Sequence, residues 1–139
     1  MFLIFSKEII NLVGNAKDMN LKDAIEKVYL DQNLPISEEK IRRILSQYLF
    51  NLEDFETPIS QLSGGQKARF QLIKMLSNNP QILILDEPTS HLDLPSIEEL
   101  ERALKNYSGA IVFVSHDDYF RKALKNTDKD FQTVNIGEK

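Results

Sequence analysis

Apolar residues recur at Leu21, Ala24, Ile25 and Val28, the spacing of a helix that buries one stripe, and Asn20 stands before them as N-cap. The same spacing returns at Ile41, Ile44, Leu45 and Tyr48. Ser37 serves there as N-cap, and Glu38 and Glu39 fall in the first turn, where the helix dipole favours acids. Arg42 and Arg43 lie four residues after those two acids and are expected to pair with them on a solvated face. A third stripe, Ala68, Leu72, Met75 and Leu76, follows the glycine pair Gly64 and Gly65 and stops at Asn78, Asn79 and Pro80. The period then changes. Ile82 to Leu85 and Ala110 to Val114 are continuous β-favouring runs, as expected of parallel strands buried on both faces. Between them Pro95 suits a first helical turn, and Ile97, Leu100, Ala103 and Leu104 form the buried stripe. The order β, α, β predicts an α/β fold with a mostly parallel sheet and a right-handed crossover. A helix over Tyr119 to Leu124 and a weaker last strand over Phe131 to Ile136 complete the pattern, without internal repeats or low-complexity segments.

Composition narrows the function classes. A chain of 139 residues suffices for one domain with a core, and a net charge of −4, from 17 basic and 21 acidic residues, gives no general footprint for nucleic acid or membrane. Cysteine is absent, which excludes disulfides and thiolate metal sites, and a cytoplasmic location is the expectation. The apolar start, Met1 to Ile10, lacks a basic leader and is broken by Lys7 and Glu8, so it does not read as a signal peptide. No apolar run approaches the roughly 20 residues that span a bilayer, so no direct membrane insertion is expected.

Candidate chemistry gathers at strand ends. Leu85 is followed by Asp86, Glu87 and Pro88, and Val114 by Ser115, His116 and Asp117, and ligands of open α/β sheets bind at the carboxyl ends of strands. Adjacent carboxylates in extended chain point in different directions, so Asp86 and Glu87 are suited to different tasks: one holding Mg²⁺, the other orienting an attacking water. His116 could donate a hydrogen bond to a transferred phosphate, or be structural. Gly64 and Gly65 leave room for a ligand to approach free amides at a helix start, with Ser63 adding a hydroxyl. The same residues also suit a plain turn, with Ser63 as cap and the glycines at positive φ.

Taken together, Leu-Ser-Gly-Gly-Gln at 62–66, Ile-Leu-Ile-Leu-Asp-Glu-Pro-Thr-Ser-His-Leu-Asp at 82–93 and Val-Phe-Val-Ser-His-Asp at 112–117 resemble the signature motif, Walker B with D-loop, and switch histidine of ATP-binding-cassette (ABC) ATPases. Ser-His-Leu-Asp and Ser-His-Asp-Asp-Tyr-Phe look more like the ABC-F class, soluble tandem cassettes of which many act on the ribosome; Ser90 departs from that class's usual asparagine. The resemblance implies one partial ABC nucleotide-binding domain, a P-loop NTPase (RecA-like) fold with the ABC helical subdomain and its signature motif at about 9–79 and the second half of the ATPase core at about 80–139. It implies that Asp86 serves Mg²⁺, Glu87 is the general base, and His116 contacts the γ-phosphate. Leu62, Ser63, Gly64, Gly65 and Gln66 would bind ATP held by an opposing cassette, and Asp93 would lie at that interface. His91 is given no catalytic role.

No glycine is followed by lysine, so the phosphate-cradling loop G-x-x-x-x-G-K-[ST], Walker A, is missing from this sequence. By resemblance the chain begins near the Q-loop, where Phe5 to Glu8 reads Phe-Ser-Lys-Glu and Lys7 replaces the glutamine that helps hold Mg²⁺. The expectation is a partial cassette, inactive alone, using ATP with Mg²⁺ only when another chain or segment supplies Walker A. Its sheet should then expose an edge and an apolar face for a partner: another cassette in a head-to-tail dimer, or the missing N-terminal part. A remnant of a transporter ATPase, or a non-catalytic module lending its signature motif in trans, are the alternatives.

Overall fold

The computed structural model describes residues 2–5, 19–90, 92–126 and 132. Lys7, His91 and, apart from Gln132, the expected strand at Phe131 to Ile136 lie outside the described residues.

Three helices form the first group. α1 (Leu21–Asp31) is capped by Asn20, whose Oδ1 accepts from the Asp23 amide at 2.8 Å. In α2 (Glu38–Gln47) the Ser37 hydroxyl accepts from the Lys40 amide at 3.2 Å. Both helices stop the same way. The Leu34 amide donates to the Tyr29 carbonyl and the Phe50 amide to the Leu45 carbonyl, with Asn33 (φ 55°) and Leu49 (φ 62°) in the left-handed region between, the Schellman ending usually built on glycine. Arg42 pairs with Glu38 at 3.0 Å, as its spacing predicts, whereas Arg43 forms no ion pair among the described residues. Two 3-10 turns, Leu52–Glu56 and Ile59–Gln61, lead into α3 (Gly64–Leu76). Leu21, Ile25, Leu45 and Ile59 are fully buried here together with Phe50, Phe55, Leu62 and Phe70.

The second group is a parallel sheet, β1 (Phe2–Phe5), β2 (Ile82–Asp86) and β3 (Ala110–Val114), in that spatial order. β1 adds a strand that the apolar pattern does not predict; it pairs in register with β2, Leu3 opposite Leu83 and Phe5 opposite Leu85. α4 (Leu94–Asn106) and α5 (Asp118–Lys125) cover one face, where Leu83, Leu85, Leu100, Leu104, Phe120 and Leu124 are buried. Phe113 meets Phe120 edge to face, with ring centroids 5.8 Å apart. α3 serves both groups, with Phe70 and Ile73 in the first core and Leu72 and Met75 in the second.

Burial of β3 on both faces is corrected. Val112 and Val114 are 57% and 58% exposed, because both helices that follow the sheet strands pack on the opposite face, against Ile111 and Phe113. The stripe of α4 is also wider than predicted: Ser96 and Glu99 join Leu100 and Leu104 inside, while Ile97 and Ala103 are only half-buried. No helix among the described residues is long and apolar enough to cross a membrane.

Candidate active site

Asp86 ends β2, exposed, on the open face of the sheet opposite Val114. The chain turns sharply at the next residue. Glu87 has φ 45°, a left-handed conformation that costs a residue with a Cβ about 1–2 kcal/mol, and its amide donates to the Val114 carbonyl at 2.9 Å. The turn separates the two carboxylates, as their adjacency requires, and carries Glu87 across to the end of β3. There its Oε2 accepts from the His116 amide at 3.2 Å, and its Oε1 lies 3.3 Å from the His116 Nε2 without a well-aligned hydrogen bond. Glu87 is thus held at one oxygen and left with the other buried and unsatisfied, as suits a group awaiting a water or a ligand. The His116 ring is 94% exposed, free to meet something outside the chain. Asp117 turns away to cap α5, accepting from the Phe120 amide at 3.0 Å.

Strained backbone, an orphaned carboxylate oxygen and an exposed imidazole coincide at the carboxyl ends of neighbouring parallel strands. Among the described residues no three His, Cys, Asp or Glu gather to cage a metal. A lone exposed carboxylate such as Asp86 fits Mg²⁺, which keeps most of its waters and takes phosphate oxygens for the rest.

The glycine pair starts α3. The Ser63 hydroxyl accepts from the Gln66 amide at 3.1 Å, and the Gln66 side chain accepts from the Ser63 amide at 2.9 Å, a reciprocal capping box. The cap half of the turn reading therefore holds. Its positive φ does not, since no described glycine has one; both are simply the first two helical residues. The amides of Gly64 and Gly65 belong to the helix's first turn, which has no intrahelical acceptors, and lie at its positive dipole end; Gly64 is exposed there and Gly65 buried. Around a Cβ placed on Gly64 there is nothing within 4 Å. On Gly65 it would fall 2.6–2.8 Å from the carboxylate of Asp93. Leu62 is buried beneath.

Asp93 also caps α4, its Oδ1 accepting from the Ser96 amide at 3.1 Å. Ser96 holds the Asp93 carboxyl below the usual carboxylate range, its nearby hydroxyl first and its amide after, and the Arg69 charge adds to this. Two residues that the motifs do not mark complete the surroundings. Asp54 accepts from the Gln66 Nε2 at 2.9 Å. Arg69 donates to the Leu49 carbonyl at 2.8 Å and lies over the Phe50 ring, 4.9 Å from its centroid. Gln66 and Arg69 stand three residues apart on one helix, the spacing that could have drawn attention to Arg69.

Residues 5–90 match the family described as ABC transporter. An ATP-binding protein of Bacillus subtilis, YdiF, is 49% identical over 108 residues, covering 78% of this chain and 17% of that protein. ABC transporter F family member 2 of Arabidopsis thaliana is 42% identical over 88 residues, 63% of this chain and 13% of that one. Among solved structures, the dimeric MJ0796, a bacterial ABC transporter cassette, superposes with a TM-score of 0.64 at 25% identity, over 86% of this chain and 54% of that chain. The chain thus spans under a fifth of these curated relatives and about half of a solved cassette.

Proposed function

Because the chain belongs to the ABC transporter family, we propose that it is the signature and Walker B part of an ABC-F-like ATP-hydrolysing cassette, working only where another chain or segment supplies the phosphate-binding loop. The observation that carries this reading is the Glu87 carboxylate, fixed on the His116 amide with its second oxygen left unsatisfied. In it Glu87 would take the proton from the attacking water, His116 would meet the γ-phosphate, and Asp86 would hold Mg²⁺, which when bound would neutralise phosphate charge. The signature, Leu62 to Gln66, meets the triphosphate of an opposing cassette through its exposed Ser63 and Gly64, with Leu62 and Gly65 buried behind them, and Asp93 lies at that junction. Lys7, at the Q-loop position, has no acceptor atom and would not support Mg²⁺ as a glutamine oxygen does. The reading divides the chain near residue 79, with the helical subdomain at about 9–79 and the core half at 80–139.

Support for a missing complement comes from the open sheet face of Val112 and Val114 and from a sequence with no Gly-Lys step. Likeness to F family members favours the ABC-F class over a transporter remnant. A ribosomal partner and a cytoplasmic site of action follow from that class likeness alone.

The test measures ATP turnover by the chain alone and mixed with a cassette carrying an intact phosphate-binding loop, such as one cassette of a Bacillus subtilis relative. The expected result is turnover only in the mixture, in excess of what that cassette gives alone, and lost with Glu87→Gln in this chain. Turnover by the pure chain would overturn the requirement for a complement. ATP-dependent association without added turnover would leave only signature lending in trans.

A further inference from the structure

The two glycines of the signature have different neighbours, although they are adjacent and share a helical conformation. Gly64 looks onto open space, while the side-chain position of Gly65 is occupied by the carboxylate of Asp93, with Oδ2 at 2.6 Å, Oδ1 at 2.7 Å and Cγ at 2.8 Å from where a Cβ would stand. A flexible carboxylate could ordinarily swing aside. This one is anchored, because Asp93 is the N-cap of α4 and accepts from the Ser96 amide at 3.1 Å. Ser96 itself is fully buried, so the anchor does not drift with solvent. Behind the contact, Arg69 on α3 is held by the Leu49 carbonyl and faces Asp93 closely enough to favour its charged form.

We propose that Asp93 is a positioning residue for the signature helix: its capping carboxylate seats on the bare Cα of Gly65 and fixes the first turn of α3 against the loop leaving β2, leaving Gly64 as the glycine open to an outside ligand. The signature start and the Asp93 loop then move as one unit, and the absence of a side chain at Gly65 answers to this chain's own structure while that at Gly64 answers to a ligand. The assignment of Gly64 rests on the function proposed above; the Asp93 to Gly65 contact does not.

Two sets of measurements separate them. In urea unfolding, Gly65→Ala is expected to lower the midpoint in the wild-type background and to leave it unchanged or raise it in an Asp93→Ser background, since serine keeps the cap, is shorter, and alanine is the better helix former. Gly64→Ala is expected to raise the midpoint in both. Equal losses from Gly65→Ala in both backgrounds would overturn the contact. In ATP-dependent association with an intact cassette, Gly64→Val should weaken binding at least tenfold without lowering the midpoint. Undiminished association of Gly64→Val would overturn the assignment of Gly64. If the wild-type chain shows no ATP-dependent association, the proposed function fails and the unfolding measurements still decide the contact.

Discussion

Gln66 donates its side-chain amide to Asp54 at 2.9 Å while its oxygen accepts the amide of Ser63, so one residue both closes the cap of the signature helix and ties that helix to the 3-10 turn before it. Asp54 is itself a capping residue, accepting from the Asn51 amide at 2.8 Å. Gln66→Ala removes two hydrogen bonds and leaves the exposed Ser63 amide to water, so a loss of about 1–2 kcal/mol is expected in urea unfolding. Gln66→Glu keeps the reciprocal cap but sets a second carboxylate beside Asp54, and its loss should be intermediate at neutral pH and smaller in acid.

Leu49 adopts φ 62° at the Schellman ending of α2, where a side chain has no advantage to offset the strain, since it is 48% exposed. Leu49→Gly is expected to stabilise the chain by about 0.5–1 kcal/mol, less whatever entropy the unfolded chain gains. Arg69 binds the Leu49 carbonyl, which glycine also provides, so the contact survives the substitution. An unchanged or lower urea midpoint would show the backbone there to be relaxed.

These two cases mark how far the sequence could be read. Asn20, Ser37 and the apolar stripes of α1 and α2 state their helices locally, through spacing and a cap within three residues, and each was legible. The motif residues were legible in identity. What escaped were features made by distant contacts. β1 has only four residues and is a strand because β2 pairs with it, and Leu49 left-handed and Asp93 on Gly65 follow from where helices meet. The open face of β3 could not be told from a buried one, since Val112 and Val114 are as apolar as Ile111 and Phe113. Composition records what a face would bury, and only the packing shows whether anything covers it.

The exposed face yields its own prediction. Val112 and Val114 are more than half exposed and lie outside the second core, so Val112→Lys should change stability by no more than about 0.5 kcal/mol. The same change places a charge where the proposed complement would pack. Added turnover with the phosphate-binding cassette should disappear with this variant. Undiminished turnover would place the complement elsewhere.

Asp93 gives a pH dependence with a definite sign. Its carboxyl is held low in the folded chain, mainly by Ser96, so the folded state binds fewer protons than the unfolded one just below the ordinary aspartate range. The stabilisation is present above about pH 4 and is lost as pH falls through the folded value. Asp93→Asn keeps a capping oxygen but removes the charge, so its stability should fall less steeply than wild type below about pH 4. Glu38, also held low by Arg42 and then Lys22, titrates in both proteins and drops out of the difference.

Where the helical group meets the sheet group, a cleft of about 370 Å³ is lined by Gln47, Tyr48, Asn79, Glu99 and Arg102, among others. Glu99 is 4% exposed, and its carboxylate meets Arg102 at 2.6 Å, while Arg102 also donates to the Gln47 carbonyl at the end of α2. Burial, and after it the Glu99 charge, push the Tyr48 hydroxyl up to about 12. One arginine therefore neutralises a buried acid on α4 and ties it to α2. Removing it leaves the acid unpaired, a loss that reaches about 3–5 kcal/mol for fully buried pairs and is smaller here because the Arg102 side chain is half exposed. Arg102→Ala should cost about 1–2 kcal/mol more in the wild-type chain than in a Glu99→Gln background, where no charge is stranded. Equal costs in the two backgrounds would mean that Arg102 acts through its bond to Gln47 alone, and the cleft would then be held by α2 and not by the ion pair.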